Sequence, residues 1–216
     1  LRRQIDAWQS ALLALSAKAD RLDNISPEQL DKLLKTFPPE VSASADSLRV
    51  TLRERHAARL TALEDLEAKL DNGDVGEGRK LFFGKALCST CHAVTTHGGK
   101  FGPDLTNIGE IRSQHDILEA IVYPGASFAR EYETSSVKTK EMTYTGIIKE
   151  QSPEVVAIET GPGVIIRIPR REVEAIESEE ISMMPPGLDK MLSAKELSDL
   201  MAYLTTLPDG LGHLRV

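Results

Sequence analysis

The sequence predicts a mainly α-helical chain interrupted by a small β module, and three observations carry that prediction. Apolar residues recur at helical spacing over residues 1–72, alternation with a period of two takes over from 134 to 178, and helical spacing returns toward the C-terminus. The expected divisions follow these changes of period. They are a helical hairpin or bundle at 1–72, the first part of a helical domain at 73–133, an inserted antiparallel sheet or partly closed barrel at 134–178, and the rest of the helical domain at 179–216.

Each element has a local reason. Ile5, Trp8, Leu12 and Leu15 make the first helical stripe, and Ser26-Pro27-Glu28-Gln29 combines an N-cap, a proline at the first helical position and a reciprocal Gln. Phe37-Pro38-Pro39 ends that second helix, because the residue before a proline is pushed out of the α region. A third helix carries Leu48, Leu52, His56, Leu60, Leu63, Leu66 and Leu70 on one expected face. Asp71-Asn72-Gly73-Asp74 joins a stop signal to a new N-cap, and a short helix then runs to Gly84. A further helix is expected through Ile117, Leu118, Ile121 and Val122 before Pro124. The strands are read from Val137 and Thr139; Thr143, Thr145 and Ile147; Val155 and Ala157; and Val164, Ile166 and Ile168. Gly146 suggests a bulge or strong bend, Gly161-Pro162-Gly163 a turn, and Ser193 with Glu196 a capping box opening the terminal helix.

Composition narrows the function. The 216 residues include 26 basic and 33 acidic side chains, a net charge of −7 that argues against nucleic-acid binding. No run approaches the ~20 apolar residues of a membrane span. Any membrane attachment is therefore expected outside this chain, and the opening LRRQIDAWQS, which lacks a signal peptide's apolar region, is expected to belong to a mature or excised segment. The two cysteines stand three positions apart, which rules out a multi-disulfide framework and makes the pair itself the question.

Cys88-Ser89-Thr90-Cys91-His92 is the attachment signature of c-type haem: two thiols add to the vinyl groups, and the adjacent imidazole lies beneath the iron. Two rival readings are weaker. A thioredoxin-like pair sits at a helix N-terminus after a strand, whereas Cys88 follows a helix. A structural zinc site needs four ligands and would have to recruit both His92 and His97.

The segment Gly76 to His92, GEGRKLFFGKALCSTCH, resembles the opening of class I cytochrome c domains, in which a Gly and an aromatic of the first helix pack against the last helix. Gly102-Pro103-Asp104-Leu105 resembles the family segment whose Pro carbonyl accepts a hydrogen bond from the proximal imidazole. Glu196 to Leu207 resembles the family's terminal helix, with its aromatic at Tyr203. A closer resemblance is to the haem-binding domain found at the C-terminal end of large multidomain proteins of the Planctomycetes/Verrucomicrobia type. It rests on GPDLTNIG, DILEAIVYP, YTGII and SMMPPGL in that order and covers about residues 74–207. The resemblance implies a cytochrome c-like helical domain with one covalent haem c, interrupted by the β module. Because thioether formation needs a maturation system outside the cytoplasm, it also implies a periplasmic or other extracytoplasmic location.

Met184, followed by Pro185 in a loop before the last helix, resembles the family's Met-Pro arrangement and is the favoured sixth ligand opposite His92; Met183 is the runner-up. His56, His97, His115 and His213 are weaker rivals. Expected pocket residues are Phe82, Phe101, Leu105, Ile108 and Tyr123, with Arg112 a candidate partner for a haem propionate. Imidazole and thioether ligation gives a low-spin haem suited to electron transfer rather than to enzymatic turnover. The alternative is a ligand sensor or peroxidase-like site with a labile or absent sixth ligand. Residues 1–72 carry 11 basic and 12 acidic groups, leaving 15 and 21 for the remainder. That acidic haem-bearing part predicts a redox partner with a basic docking face and association that weakens with salt. Residues 1–72 are a candidate dimer interface or docking surface.

Overall fold

A computed structural model describes residues 27–126, 130–179 and 181–208. The chain divides into two compact units that meet between Asp65 and Leu66. Ile5, Trp8, Leu12 and Leu15, the Ser26 cap and His213 lie outside the described residues.

In the first unit, α1 (Pro27–Leu34) stops ahead of the Phe37-Pro38-Pro39 break, and Pro39 opens α2 (Pro39–Ser44). The long helix α3 spans Asp46–Glu67. Leu30, Leu34, Ala45, Leu48 and Leu52 form the core of this unit. Arg49 ties it together, reaching the Asp31 carboxylate at 2.9 Å and the Ser42 carbonyl at 2.8 Å. The predicted apolar face of α3 needs two corrections, the first being that Leu70 lies beyond the helix, which ends at Glu67. Leu48, Leu52 and Leu63 are buried and His56 is half-buried, but Leu60 is exposed. At 3.6 residues per turn Leu60 falls well to the side of the stripe through 48, 52 and 63.

The second unit begins with the end of α3. Asp74 caps α4 (Val75–Phe83) by accepting the Glu77 N–H at 2.8 Å. This helix packs against the terminal helix α7 (Ala194–Thr205). The crossing is close because Gly78 has no side chain: a Cβ there would collide with the Asp199 carbonyl. Four residues on, the Phe82 ring meets that of Tyr203 at 5.6 Å between centroids. The chain entering α4 is also pinned, with the Asp71 N–H donating to Ser198 Oγ at 3.1 Å and the Asp74 N–H to Asp199 Oδ1 at 2.6 Å. Two short strands, β1 (Ala93–Val94) and β2 (His97–Gly98), pair in an antiparallel hairpin. Helices α5 (Ile108–Ile111) and α6 (Gln114–Val122) then lie against α7. Both α6 and α7 open with capping boxes, Ser113 with Asp116 and Ser193 with Glu196.

Between α6 and α7 lies a five-stranded antiparallel sheet: β3 (Thr134–Thr139), β4 (Thr143–Gln151), β5 (Val155–Gly161), β6 (Val164–Pro169) and β7 (Val173–Glu179). Its order is β6-β5-β4-β3-β7, so consecutive strands β6 and β7 sit at opposite edges. A flat sheet would hold those edges about 19 Å apart, four spacings of nearly 5 Å. Yet only the 3-10 turn Arg170–Glu172 separates Pro169 from Val173. Four residues of extended chain reach at most about 14 Å. The sheet must therefore curl toward closure, and its concave side encloses Val137, Val156, Ile158 and Ile168. Register shifts fall at Lys138/Thr139, Ile148/Glu150 and Glu159/Gly161 rather than at Gly146. Gly146 serves another purpose: a Cβ there would strike the Glu159 carbonyl of the neighbouring strand.

Candidate haem site

The site grows out of the end of α4. Gly84 caps the helix, the Ala86 N–H returns to the Leu81 carbonyl at 2.9 Å, and Leu87 takes a left-handed conformation at φ 55°. That conformation is unfavourable for a branched aliphatic residue, and Leu87 is exposed, so burial does not repay it. The bend turns the chain into the 3-10 turn Cys88–Thr90. The Cys91 and His92 N–H groups both donate to the Cys88 carbonyl, at 3.1 and 2.9 Å. One tight turn thus carries both thiols and presents the imidazole at its end. Both cysteines are free and half-buried.

The imidazole is held from the other side by the loop 99–106. Pro103 O lies 2.8 Å from His92 Nδ1. A carbonyl only accepts, so Nδ1 carries the proton and Nε2 keeps the lone pair that can bind a metal. Gly102 lies directly against the ring: a Cβ would sit 2.6 Å from Cε1 and 2.8 Å from Nδ1. The loop is stitched to the turn by Gly99 N–H to Ser89 O, Gly102 N–H to Cys91 O and Leu105 N–H to Ala93 O, each 2.8 Å. Thr106 completes it, accepting the Thr95 N–H at 2.6 Å and donating its hydroxyl to Asp104.

Burial lowers the pKa of His92, against the opposing pull of its bond to Pro103, so the imidazole is neutral, as a ligand requires. Burial also pushes the Cys88 thiol up to about 11 and raises that of Cys91. A thiol–disulfide oxidoreductase needs the opposite, a depressed thiol pKa. The zinc reading fares no better. Among the described residues, no group of three or more His, Cys, Asp or Glu side chains could hold a metal ion. A neutral imidazole with an open Nε2, a ring cradle that admits no Cβ and two unpaired thiols on one turn fit covalent haem.

The structure brings Cys88, Cys91, His92 and Pro103 into one constellation, and the sequence alone did not single out Leu87 or the steric role of Gly102. Of the other expected residues, Phe82 and Phe101 are buried, Leu105, Ile108 and Tyr123 are half-buried, and Arg112 is exposed at the end of α5. Met183 and Met184 are half-buried in the irregular segment after β7, where the Met184 N–H donates to Ser182 Oγ at 3.1 Å. Among the rival histidines, His97 is exposed on β2, and His115 pairs with Glu67 at 2.8 Å, which raises its pKa.

A family model described as Cytochrome c matches residues 75–157. The matched span holds Cys88, Cys91, His92, Phe101 and Pro103, runs into β5, and ends before Met184 and α7. It supports a c-type cytochrome domain with covalently bound haem, and with it haem-based electron transfer. No curated protein matches the chain. Among the described residues, no helix is long and apolar enough to cross a membrane.

Proposed function

We propose that the chain is a monohaem c-type cytochrome that relays electrons, in which His92 and Met184 would hold the iron. The observation that carries the reading is the His92 ring, held through Nδ1 by Pro103 O at 2.8 Å, lying on Gly102, at the end of the turn that bears Cys88 and Cys91. The bound haem would supply one-electron redox chemistry. The chain's own residues do the rest. Cys88 and Cys91 retain the group covalently, and His92 offers Nε2 while Pro103 fixes its tautomer and orientation. Phe82 and Phe101 keep one side dry, Leu105, Ile108 and Tyr123 extend the lining, and Arg112 pairs with a propionate. Met184 supplies a thioether from a loop stiffened by the following Pro185.

The succession of GPDLTNIG, DILEAIVYP, YTGII and SMMPPGL supports the narrower reading, a haem domain of the Planctomycetes/Verrucomicrobia type serving as a module of a larger protein outside the cytoplasm. Its excess of acidic over basic side chains, 21 against 15 over residues 73–216, suits a redox partner with a basic docking face.

Absorption spectra of the native and dithionite-reduced protein test the reading. The expected result is a low-spin ferrous form that does not respond to carbon monoxide, with haem retained on a denaturing gel. Loss of that retention in Cys88→Ala/Cys91→Ala would complete the assignment. Ready carbon monoxide binding by the unaltered protein would instead favour a sensor or peroxidase-like site. Met184→Ala is expected to open the iron to carbon monoxide; an unchanged spectrum in that variant removes Met184 as a ligand.

A further inference from the structure

The carbonyl that holds the imidazole is itself held from the residue that follows it. The pyrrolidine ring fixes φ of Pro103, so the direction of its carbonyl depends on ψ of Pro103 and φ of Asp104, the two rotations flanking that planar peptide. Hydrogen bonds anchor the backbone on either side: Gly102 N–H donates to Cys91 O and Leu105 N–H to Ala93 O, each at 2.8 Å. Between these anchors the Asp104 side chain turns forward. Its Oδ1 accepts the Thr106 N–H at 2.7 Å and also the Thr106 hydroxyl. An Asp that bonds the backbone two residues on makes an Asx turn, which restrains the chain at the peptide bearing the Pro103 carbonyl.

Thr106 carries the restraint across to the hairpin that follows His92. Its Oγ1 accepts the Thr95 N–H at 2.6 Å while giving its own proton to Asp104, two tasks that a hydroxyl performs from one atom. Thr95 is left-handed at φ 56°, in the first position of the two-residue turn between Val94 and its pairing partner His97. Glycine is the ordinary choice at such a position, because a β-branched residue at positive φ is strained. Thr95 is exposed, so burial does not repay the strain. Its hydrogen bonds oppose it instead: the N–H to Thr106, and the hydroxyl to Val94 O at 2.6 Å.

Resting on the haem reading above, we propose that Asp104 and Thr106 are positioning residues for the histidine ligand: the clamp from Thr95 through Thr106 to Asp104 aims the Pro103 carbonyl at His92 Nδ1 and thereby sets how strongly Nε2 donates. Both act through Pro103. A well-aimed acceptor draws on the Nδ1 proton and makes the imidazole the stronger donor. Stronger donation favours the ferric over the ferrous centre, because the oxidised centre carries the greater positive charge. Loosening the clamp therefore raises the reduction potential, and it also opens the Nδ1 proton to exchange with solvent.

The test uses the haem-loaded protein, titrated spectroelectrochemically with dithionite as reductant and ferricyanide as oxidant, and followed by proton NMR of the His92 Nδ1–H in the reduced form. Thr106→Val keeps the branched shape and changes no charge. It is expected to favour reduction by about fivefold, a rise of ~41 mV at ~59 mV per tenfold for a one-electron couple, and to speed deuterium exchange of that proton by a similar factor. Thr106→Ser, which keeps the hydroxyl, is expected to restore both values. Asp104 is probed with two neutral variants, so that the lost charge cancels: Asp104→Asn keeps an acceptor oxygen and Asp104→Ala does not. Reduction is expected to be favoured at least about twofold more in Asp104→Ala than in Asp104→Asn. Wild-type potential and exchange in Thr106→Val would overturn the inference, as would a Thr106→Ser protein that behaves like Thr106→Val. If Thr106→Val fails to load haem, the Asp104 pair carries the test, and equal potentials and exchange rates there defeat the proposal. Wild-type protein that retains no haem on a denaturing gel would sink the haem reading itself, a failure distinct from these.

Discussion

Between Ala86 and Thr106 the chain is held by contacts that are short in sequence, whereas the sheet between Thr134 and Glu179 adds to its short hairpin pairings one, β3 with β7, that spans the whole module. In the first region the decisive backbone bonds, such as Gly102 N–H to Cys91 O and Leu105 N–H to Ala93 O, span 11 or 12 residues, and each has a steric or chemical partner nearby. In the second, Thr134 pairs with Glu179, 45 residues away, and the core is a set of aliphatic side chains interchangeable with others of similar volume. The first region is specified atom by atom; the second is specified by pattern and closure. A single added methyl group is thus expected to do different things in the two places.

Gly102→Ala gives the largest separation. The new Cβ would sit 2.6 Å from the His92 ring, so the ring or the loop has to move. The expected outcome is loss of the low-spin spectrum, with histidine ligation weakened at least ~10-fold against added imidazole, while far-ultraviolet circular dichroism keeps its β contribution. A variant with an unaltered haem spectrum would show that the cradle is not needed.

Ile158→Ala reverses the comparison. This side chain is fully buried in the sheet's core, and its truncation is expected to destabilise the second unit by about 2–5 kcal/mol in denaturant unfolding. The haem spectrum of the remaining folded protein should be preserved. Loss of the spectrum before the sheet melts would mean that the two regions form one cooperative structure.

The smallest expected effect sits where the regions share a support. Lys85, three residues before Cys88, makes a salt bridge of 2.8 Å with Glu196 in the capping box of α7. The Lys85 bond, followed by those from the Ser193 N–H and hydroxyl, lowers the Glu196 pKa from 4.5 to about 2. A carboxylate depressed on folding contributes stability above its unfolded value, and that contribution is lost as pH falls through the folded value. Comparing wild type with Glu196→Gln, the stability difference is expected to be full above about pH 4.5 and to vanish as pH approaches 2. A difference independent of pH over that window would assign the effect to packing alone.

Much of this was legible beforehand, for identifiable reasons. The turn signals, capping boxes and change of period located α1, α4, α6, α7 and the strands β3 to β6 because each depends on neighbours a few positions away, whereas β7, rich in glutamate, and the two-residue strands β1 and β2 carry no apolar alternation long enough to read. The haem signature was legible because thioether attachment demands fixed covalent spacing. Leu60 was misplaced because one apolar residue can continue a sequence pattern while falling off the helix face. Of the two expectations for Gly146, the bulge does not occur, because an isolated glycine in a strand also serves a close approach and only the neighbouring strand decides which.

What the sequence by itself determined is the chemistry of attachment and the alternation of helix and strand, since both are written in spacings of two, three or four residues. Tertiary structure alone decided the rest. It set the curl that brings β6 and β7 to opposite edges yet within one turn of each other, the contact of Gly102 with the imidazole, and the burial of Glu159 on a face that strand alternation, with Ile158 in the sheet's core, marks as outward. Periodicity records which side of an element is apolar, but not what the folded chain lays over the other side.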